Sequence, residues 1–110
     1  MIKMTFTIGT QDKDNRDFFY NTNDLKATLA NKLQYATFTD CTGCYQYNDG
    51  TVCFEPSLKV DVICFDLSSY KEKQSIINTI DDVCKTYNQE SYLFETQTND
   101  RYDATIVYVK

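Results

Sequence analysis

Two cysteines, Cys41 and Cys44, have the only spacing in this chain that resembles a chemical site. Two thiolates so placed can hold one zinc ion, and Cys53 follows in the next strand of the same predicted hairpin as a third thiolate. A fourth ligand is lacking, because the chain contains no His and no second cysteine pair of this spacing. We therefore favour ordinary packed cysteines, and a metal site and a redox or regulatory disulfide stay open as alternatives.

The absence of histidine bears directly on catalysis. The 110-residue chain lacks the usual general base and the commonest metal ligand. Its three glycines are isolated, so there is no Gly-rich phosphate loop. Asp81 and Asp82 are adjacent on a predicted helix and point about 100° apart, so they form no convincing catalytic pair. We therefore expect no catalytic residue, no cofactor and no bound metal, and an enzyme is the less favoured interpretation.

Charge and composition limit the partners and the location. The net charge of −5 and the pI near 4.5 argue against direct nucleic-acid binding but allow a basic protein partner. No apolar run approaches the ~20 residues of a membrane span, and residues 1–6 alternate rather than form a signal peptide. Five cysteines, an odd number, do not suit a secreted disulfide framework. We expect a single domain over residues 1–110 in the cytoplasm, the host's cytoplasm if the protein is phage-encoded.

The stretch from Ala36 to Phe65 predicts one long β-hairpin around which the rest of the chain is organised. Asn48-Asp49-Gly50 suits a type I turn closed by a glycine bulge, which places Tyr47 opposite Thr51. The numbers of facing residues then sum to 98. This register gathers the apolar side chains on one face, which supports it. Pro56 lacks an amide proton and predicts a break, a bulge or a sheet edge in the second strand.

The N-terminal part predicts a strand and a helix. Residues 1–9 alternate between apolar and polar and indicate a strand with one buried face. A polar loop is expected over residues 10–16, and Phe18, Phe19 and Tyr20 form either the first turn of a helix or a staple against it. The helix begins near residue 21, and Thr22 or Asn23 can cap it. Its apolar stripe consists of Leu25, Leu29 and Leu33.

The C-terminal part predicts a second helix and two strands. Ser69 and Glu72 have the spacing of a capping box, which marks a helix start. An apolar stripe runs from Ile76 to Tyr87, and the helix ends near Asn88. Strands are expected over residues 91–95 and 104–109, joined by a turn at residues 98–101.

The order of elements predicts an α+β fold. One apolar face per strand and one apolar stripe per helix imply two layers. The order β-α-β-β-α-β with right-handed crossovers gives a ferredoxin-like sandwich, an antiparallel sheet with both helices on one face and the first strand in the middle. One extra strand is left open. The predicted core is Phe6, Ile8, Leu29, Leu33, Val60, Val62, Ile76, Ile80, Val83 and Ile106.

The sheet face away from the helices carries Tyr45 and Tyr47 among threonines. RNA-binding domains of this topology stack bases on that face, but the basic residues that should accompany them are sparse here. A Tyr- and Thr-rich face with an acidic surround suits contact with a protein better, either a partner or a second copy as a homodimer. A plain solvated face is an equal alternative. The candidate binding residues are Tyr45, Tyr47, Asp81, Asp82, Glu95, Asp100 and Asp103.

Short segments resemble known proteins. Tyr87-Asn88-Gln89-Glu90-Ser91, Thr7-Ile8-Gly9 and Asp49-Gly50 together resemble small uncharacterised bacterial and phage proteins of similar layout. That resemblance implies a ferredoxin-like fold and a mobile-element origin, with no catalytic residue to carry over. In character, being small, acidic, His-free and Tyr-rich, the chain is similar to phage-encoded inhibitors of host defence such as the anti-CRISPR proteins.

Two classes of function follow. We expect a small acidic, non-enzymatic binding protein that acts by stoichiometric contact with a basic groove of a nucleic-acid-handling host protein. The alternative is a small ferredoxin-like enzyme or ligand-binding protein, with a cleft lined by Tyr and Cys, or a Cys-bound zinc module. Composition favours the first class, because charge and aromatic patches suffice for binding.

Overall fold

The computed structural model describes residues 1–65 and 70–110. Five strands form one antiparallel sheet in the order β4-β5-β1-β6-β7, and β2 and β3 form a separate hairpin. The elements are β1 Ile2–Gly9, β2 Gln11–Asp12, β3 Asn15–Phe19, α1 Thr22–Ala30, β4 Thr37–Gln46, β5 Val52–Cys64, α2 Tyr70–Thr86, β6 Ser91–Gln97 and β7 Tyr102–Tyr108.

The predicted α+β, ferredoxin-like sandwich is confirmed. β1 lies in the middle of the sheet, where Phe6 is opposite Val60 of β5 and Phe94 of β6. The even-numbered residues of β1 are buried in one cluster with Leu29 of α1 and Ile80 of α2. β7 adds a fifth strand outside β6, the extra strand that the sequence left open.

The predicted register of the long hairpin is confirmed. Tyr45 pairs with Cys53 and Phe38 with Val60, so the numbers of paired residues sum to 98. In the turn, the Tyr47 amide donates to the Thr51 carbonyl at 2.8 Å. Gly50 has a φ of 90°, which L-residues with a side chain rarely adopt.

Pro56 does not break the hairpin. It pairs with Thr42 in an uninterrupted ladder, so the predicted break or bulge is wrong. Pairing with β1 ends one residue away, where Gly9 faces Ser57. Pro56 therefore lies where the β1 side of β5 becomes a sheet edge, a position that tolerates a residue without an amide proton.

The segment predicted as a polar loop is a hairpin. Gln11 pairs with Phe19 and Asp12 with Asn15, so Phe18 and Phe19 belong to β3 and form no helical turn. The cap of α1 is Asn21, whose Oδ1 accepts the Asn23 amide proton at 2.7 Å, so both predicted caps are wrong. The sequence already placed a suitable side chain there, because Asn is among the preferred N-cap residues.

Most of the predicted core is buried, with one error. Ile106 is 51% exposed because it lies opposite Leu93 on the face of the edge strand β7 that is turned away from the helices. Leu33 and Ile76 pack partly buried against the core. The predicted capping box rests on Ser69, which lies outside the described residues. No helix within residues 1–65 and 70–110 is long and apolar enough to cross a membrane.

Replacing Ile80 tests the core. Ile80 is 0% exposed, so Ile80→Ala should lower the free energy of unfolding by about 2–5 kcal/mol through lost burial and a cavity. The exposed Ile106→Ala is the matched control and should cost under about 1 kcal/mol. Urea denaturation measures the loss of unfolding free energy for both variants, provided that the dependence of that free energy on urea concentration stays the same as in wild type. Equal losses for the two variants would contradict this account of the core.

Candidate functional site

A pocket of about 520 Å³ opens where β1 ends and the β4–β5 hairpin continues beyond it. The β2–β3 hairpin forms one wall, and the chain between α2 and β6 forms another. Its lining residues are Gly9, Gln11, Asp12, Lys13, Arg16, Tyr45, Tyr47, Glu55, Gln89, Glu90 and Ser91.

The Glu55 carboxylate is fixed at the base of this pocket. Its Oε2 accepts the amide protons of Thr10 at 3.2 Å and Gln11 at 3.0 Å. These two amides follow the last residue of β1, so Glu55 replaces the strand partner that they would otherwise need. The Thr10 hydroxyl also donates to the Pro56 carbonyl at 2.5 Å, which ties the same corner to β5.

Gly9 makes room for that carboxylate. A Cβ on Gly9 would lie 2.6 Å from Glu55 Oε1, closer than non-bonded atoms allow. Gly43, which pairs with Glu55 on the neighbouring strand, is less crowded, since its Cβ would meet Ser57 Oγ at 3.3 Å. The Glu55 carboxylate therefore lies against the backbone of Gly9, in space that any side chain at that position would fill.

Tyr45 and Tyr47 form an aromatic wall. Their hydroxyls are 3.1 Å apart, and the rings meet edge to face at 5.1 Å. Gln11 Nε2 donates to the Tyr47 hydroxyl at 2.9 Å, and the Arg16 guanidinium lies 3.9 Å from the ring centre. Burial, with the hydrogen bond to Tyr47, raises the pKa of Tyr45. Tyr45 is thus a neutral contact group and no general base.

Asn88 attaches the β2–β3 hairpin to the end of α2. It adopts a φ of 47°, and its Nδ2 donates to Asp12 Oδ1 at 2.6 Å and to Asp14 Oδ2 at 2.9 Å. Its carbonyl accepts the Lys13 amide proton at 3.1 Å. The hydrogen bond from Asn88 is the main reason that the pKa of Asp12 lies below its usual value of 3.8.

The structure brings together two of the seven predicted binding residues, Tyr45 and Tyr47. Asp81, on α2, accepts the Tyr92 hydroxyl proton at 2.9 Å, and burial raises the pKa of Tyr92. Asp82 lies on α2 near Asn78 and Thr79. Neither aspartate lines the pocket.

The other three acidic candidates lie near the β6–β7 hairpin. Glu95 accepts the Tyr102 hydroxyl proton. Asp103 pairs with Arg101 at 2.8 Å, and Asp100 accepts the Thr98 hydroxyl proton in the turn. Their predicted role in binding a protein partner, like a homodimer, stays a prediction.

The three cysteines of the candidate metal site do not converge. Cys41 and Cys53 pair with Ser57 and Tyr45 on the face away from the helices, whereas Cys44 pairs with Phe54 on the other face. No group of three or more potential metal ligands occurs in the part of the chain that the structure describes. Cys64 and Cys84 are buried in the core, and burial raises the pKa of Cys84 to about 12.

Sequence reasoning missed the residues that hold the pocket together. The predicted register already placed Glu55 opposite Gly43, which signalled a carboxylate beside a glycine. From the sequence, Gly9 indicates only the end of a strand. The parts played by Gln11 and Arg16 have no signal, because the sequence predicts a loop for their hairpin.

Two solved structures share this fold. A phage SAM lyase in complex with S-methyl-5'-thioadenosine is 21% identical, with a TM-score of 0.74 over 97% of this chain and 88% of that chain. A phage SAM lyase in the apo state is 20% identical, with a TM-score of 0.75 over 99% of this chain and 90% of that chain. Comparisons with protein-family models and with curated sequences found no match.

These comparisons correct the predicted function. The non-enzymatic, anti-CRISPR-like inhibitor is the wrong interpretation, because these two structures, which share the fold along nearly the whole chain, are of a lyase, an enzyme. Both are phage proteins, in agreement with the resemblance noted from the sequence. The alternative of a small ferredoxin-like enzyme or ligand-binding protein agrees better with the pocket.

A double-mutant cycle tests whether Gly9 makes room for the Glu55 carboxylate. Gly9→Ala should displace the carboxylate from its two amides and lower the free energy of unfolding by about 1–3 kcal/mol. In a Glu55→Ala background the same change should be neutral or stabilising by a few tenths of a kcal/mol, since Ala restricts the unfolded chain. Gly43→Ala is the control and should change little. Additive losses in urea denaturation would show that Gly9 serves another purpose.

The contact between Asn88 and Asp12 predicts a pH dependence. A lowered pKa means that the contact stabilises the fold above the ordinary value of 3.8 and stops doing so as the pH falls through the folded-state value. Asn88→Gly keeps the backbone conformation but removes the donor. Its urea midpoint should lie below wild type at pH 7, and the difference should narrow at pH 3. In an Asp12→Asn background, the difference in urea midpoint caused by Asn88→Gly should depend less on pH. If this difference in the Asp12 protein is the same at pH 7 and pH 3, the contact between Asn88 and ionised Asp12 does not contribute to stability.

Proposed function

We propose that this protein is a lyase that cleaves S-adenosylmethionine (SAM) in the pocket beside Glu55. The observation that carries the proposal is the fixed Glu55 carboxylate next to the Tyr45–Tyr47 wall, at the end of the central strand. The shared fold supports it, because one of the two phage SAM lyase structures holds S-methyl-5'-thioadenosine.

The charges in the pocket suit this substrate. SAM carries a sulfonium cation, an ammonium, a carboxylate and an adenosine. Carboxylates and aromatic ring faces attract such cations, which fits Glu55 and the two tyrosines. Lys13 and Arg16 line the same pocket and offer positive charge to the substrate carboxylate.

The reaction asks little of the protein's own acids and bases. Conversion of SAM to S-methyl-5'-thioadenosine breaks the bond between sulfur and Cγ of the aminobutyryl group, and the electron pair stays on sulfur as a neutral thioether. The substrate's carboxylate oxygen attacks Cγ, and the released fragment is the cyclic ester α-amino-γ-butyrolactone. No proton moves. A chain without His can therefore carry out this step by holding the substrate's carboxylate oxygen opposite sulfur, in line with the Cγ–S bond.

Turnover of SAM tests the proposal. The purified protein should release S-methyl-5'-thioadenosine and the lactone in equal amounts, measured by chromatography and mass spectrometry. Glu55→Gln should lower kcat/KM roughly 100-fold, the scale seen on losing one well-placed electrostatic group. Asp40→Asn is the matched control and should retain activity, since Asp40 lies on the helix side of β4, where its carboxylate forms an ion pair with Lys26 of α1, and does not line this pocket.

Two other results are informative. If the protein binds SAM but releases no product, it is a ligand-binding protein and not a lyase. If it neither binds nor converts SAM, the proposal is refuted. Equal activity of Glu55→Gln and wild type would leave the reaction but move it away from this pocket.

A further inference from the structure

Gln89 is a buried polar residue directly beside the proposed substrate pocket. It is 5% exposed and lies three residues after Thr86, the last residue of α2, within the segment Tyr87–Ser91 that stood out in the sequence. Its backbone amide donates to the Cys84 carbonyl at 2.9 Å, which closes the end of α2. The backbone of Gln89 is therefore fixed, and the residue lines the pocket.

The side-chain amide of Gln89 has one orientation. Its Nε2 donates to the Gln11 carbonyl at 3.0 Å and to the Tyr87 carbonyl at 2.9 Å. A side-chain amide has two N–H donors, and both are used here. A flipped amide would place its oxygen against two carbonyl oxygens, so the hydrogen bonds assign which atom is nitrogen.

The opposite atom, Gln89 Oε1, accepts no hydrogen bond from residues 1–65 or 70–110. Among the described residues the only buried side-chain atom without a partner is Thr7 Oγ1, so Gln89 Oε1 stays reachable from outside the protein although the residue as a whole is buried. Since Gln89 lines the pocket and its nitrogen is committed to the protein, Oε1 is the atom of this side chain that can accept from a ligand in the pocket.

We propose that Gln89 Oε1 accepts a hydrogen bond from the 6-amino group of adenine and so selects adenosyl over inosyl substrates. The inference rests on the proposed function. A neutral acceptor suits a neutral amine, whereas the carboxylates of Glu55 and Glu90 in the same pocket suit the cationic groups of the substrate. Hypoxanthine carries a carbonyl oxygen in place of that amine, so two acceptors would face each other.

Substrate analogues test this contact. Wild-type protein should use SAM with a kcat/KM roughly 10- to 100-fold above that of the inosyl analogue, in which the amine is replaced by oxygen, because the analogue leaves both oxygens unpaired. Gln89→Met, of similar length, should reduce this ratio to below about 3. A purely structural role would slow both substrates alike and leave the ratio unchanged. Gln74→Met on α2 is the control and should keep the wild-type ratio.

A binding measurement covers a variant that fails to fold. By titration calorimetry, wild-type protein should bind S-methyl-5'-thioadenosine roughly 10- to 100-fold more tightly than its inosine counterpart. Neither compound has an amino-acid part, so a contact between Gln89 and the substrate ammonium would give equal affinities and overturn the inference. Equal kcat/KM for SAM and its inosyl analogue would also overturn it, while leaving the lyase intact. Absence of any SAM turnover and of any nucleoside binding would instead refute the proposed function.

Discussion

The fold depends on β1, the strand that pairs with β5 on one side and β6 on the other. It is shorter than the hairpin beside it, so the two amides after Gly9 extend past the sheet ladder while β5 continues to Val52. Unpaired amides at a strand end need acceptors. Glu55 reaches back from β5 to supply them. The end of the central strand therefore creates both a pocket and a fixed carboxylate in it.

This solution leaves the negative charge of Glu55 in the pocket. In the described part of the chain the carboxylate is held by two backbone amides and forms no ion pair. Amides orient an anion without cancelling its charge, whereas a lysine or arginine would neutralise it. The missing side chain of Gly9 is part of the same arrangement, because a methyl group there would occupy the space of the carboxylate. A cationic ligand can thus meet an oriented charge.

Much of the fold follows from local patterns, and much of the pocket does not. The turn at Gly50 fixes the hairpin register, and that register alone places Glu55 beside Gly43. Contact of Glu55 with Thr10 spans 45 positions in the chain and depends on where β1 stops against β5, which alternation cannot show. The β2–β3 hairpin cannot be predicted for a similar reason: its strands are short, β3 exposes all five of its residues, and the hairpin is attached through Asn88, which is distant in the sequence.

The error about enzyme function has a chemical cause. Inferring a lack of catalysis from the lack of His assumes that the protein must move a proton or supply a nucleophile. A sulfonium substrate weakens that assumption, since its leaving group departs as a neutral thioether and its own carboxylate can displace it. For such a reaction a site needs an oriented charge, an aromatic wall and the right fold of the substrate. In the proposed lyase, Glu55 would supply the oriented charge and Tyr45 and Tyr47 the aromatic wall, and none of the three belongs to a recognisable catalytic motif.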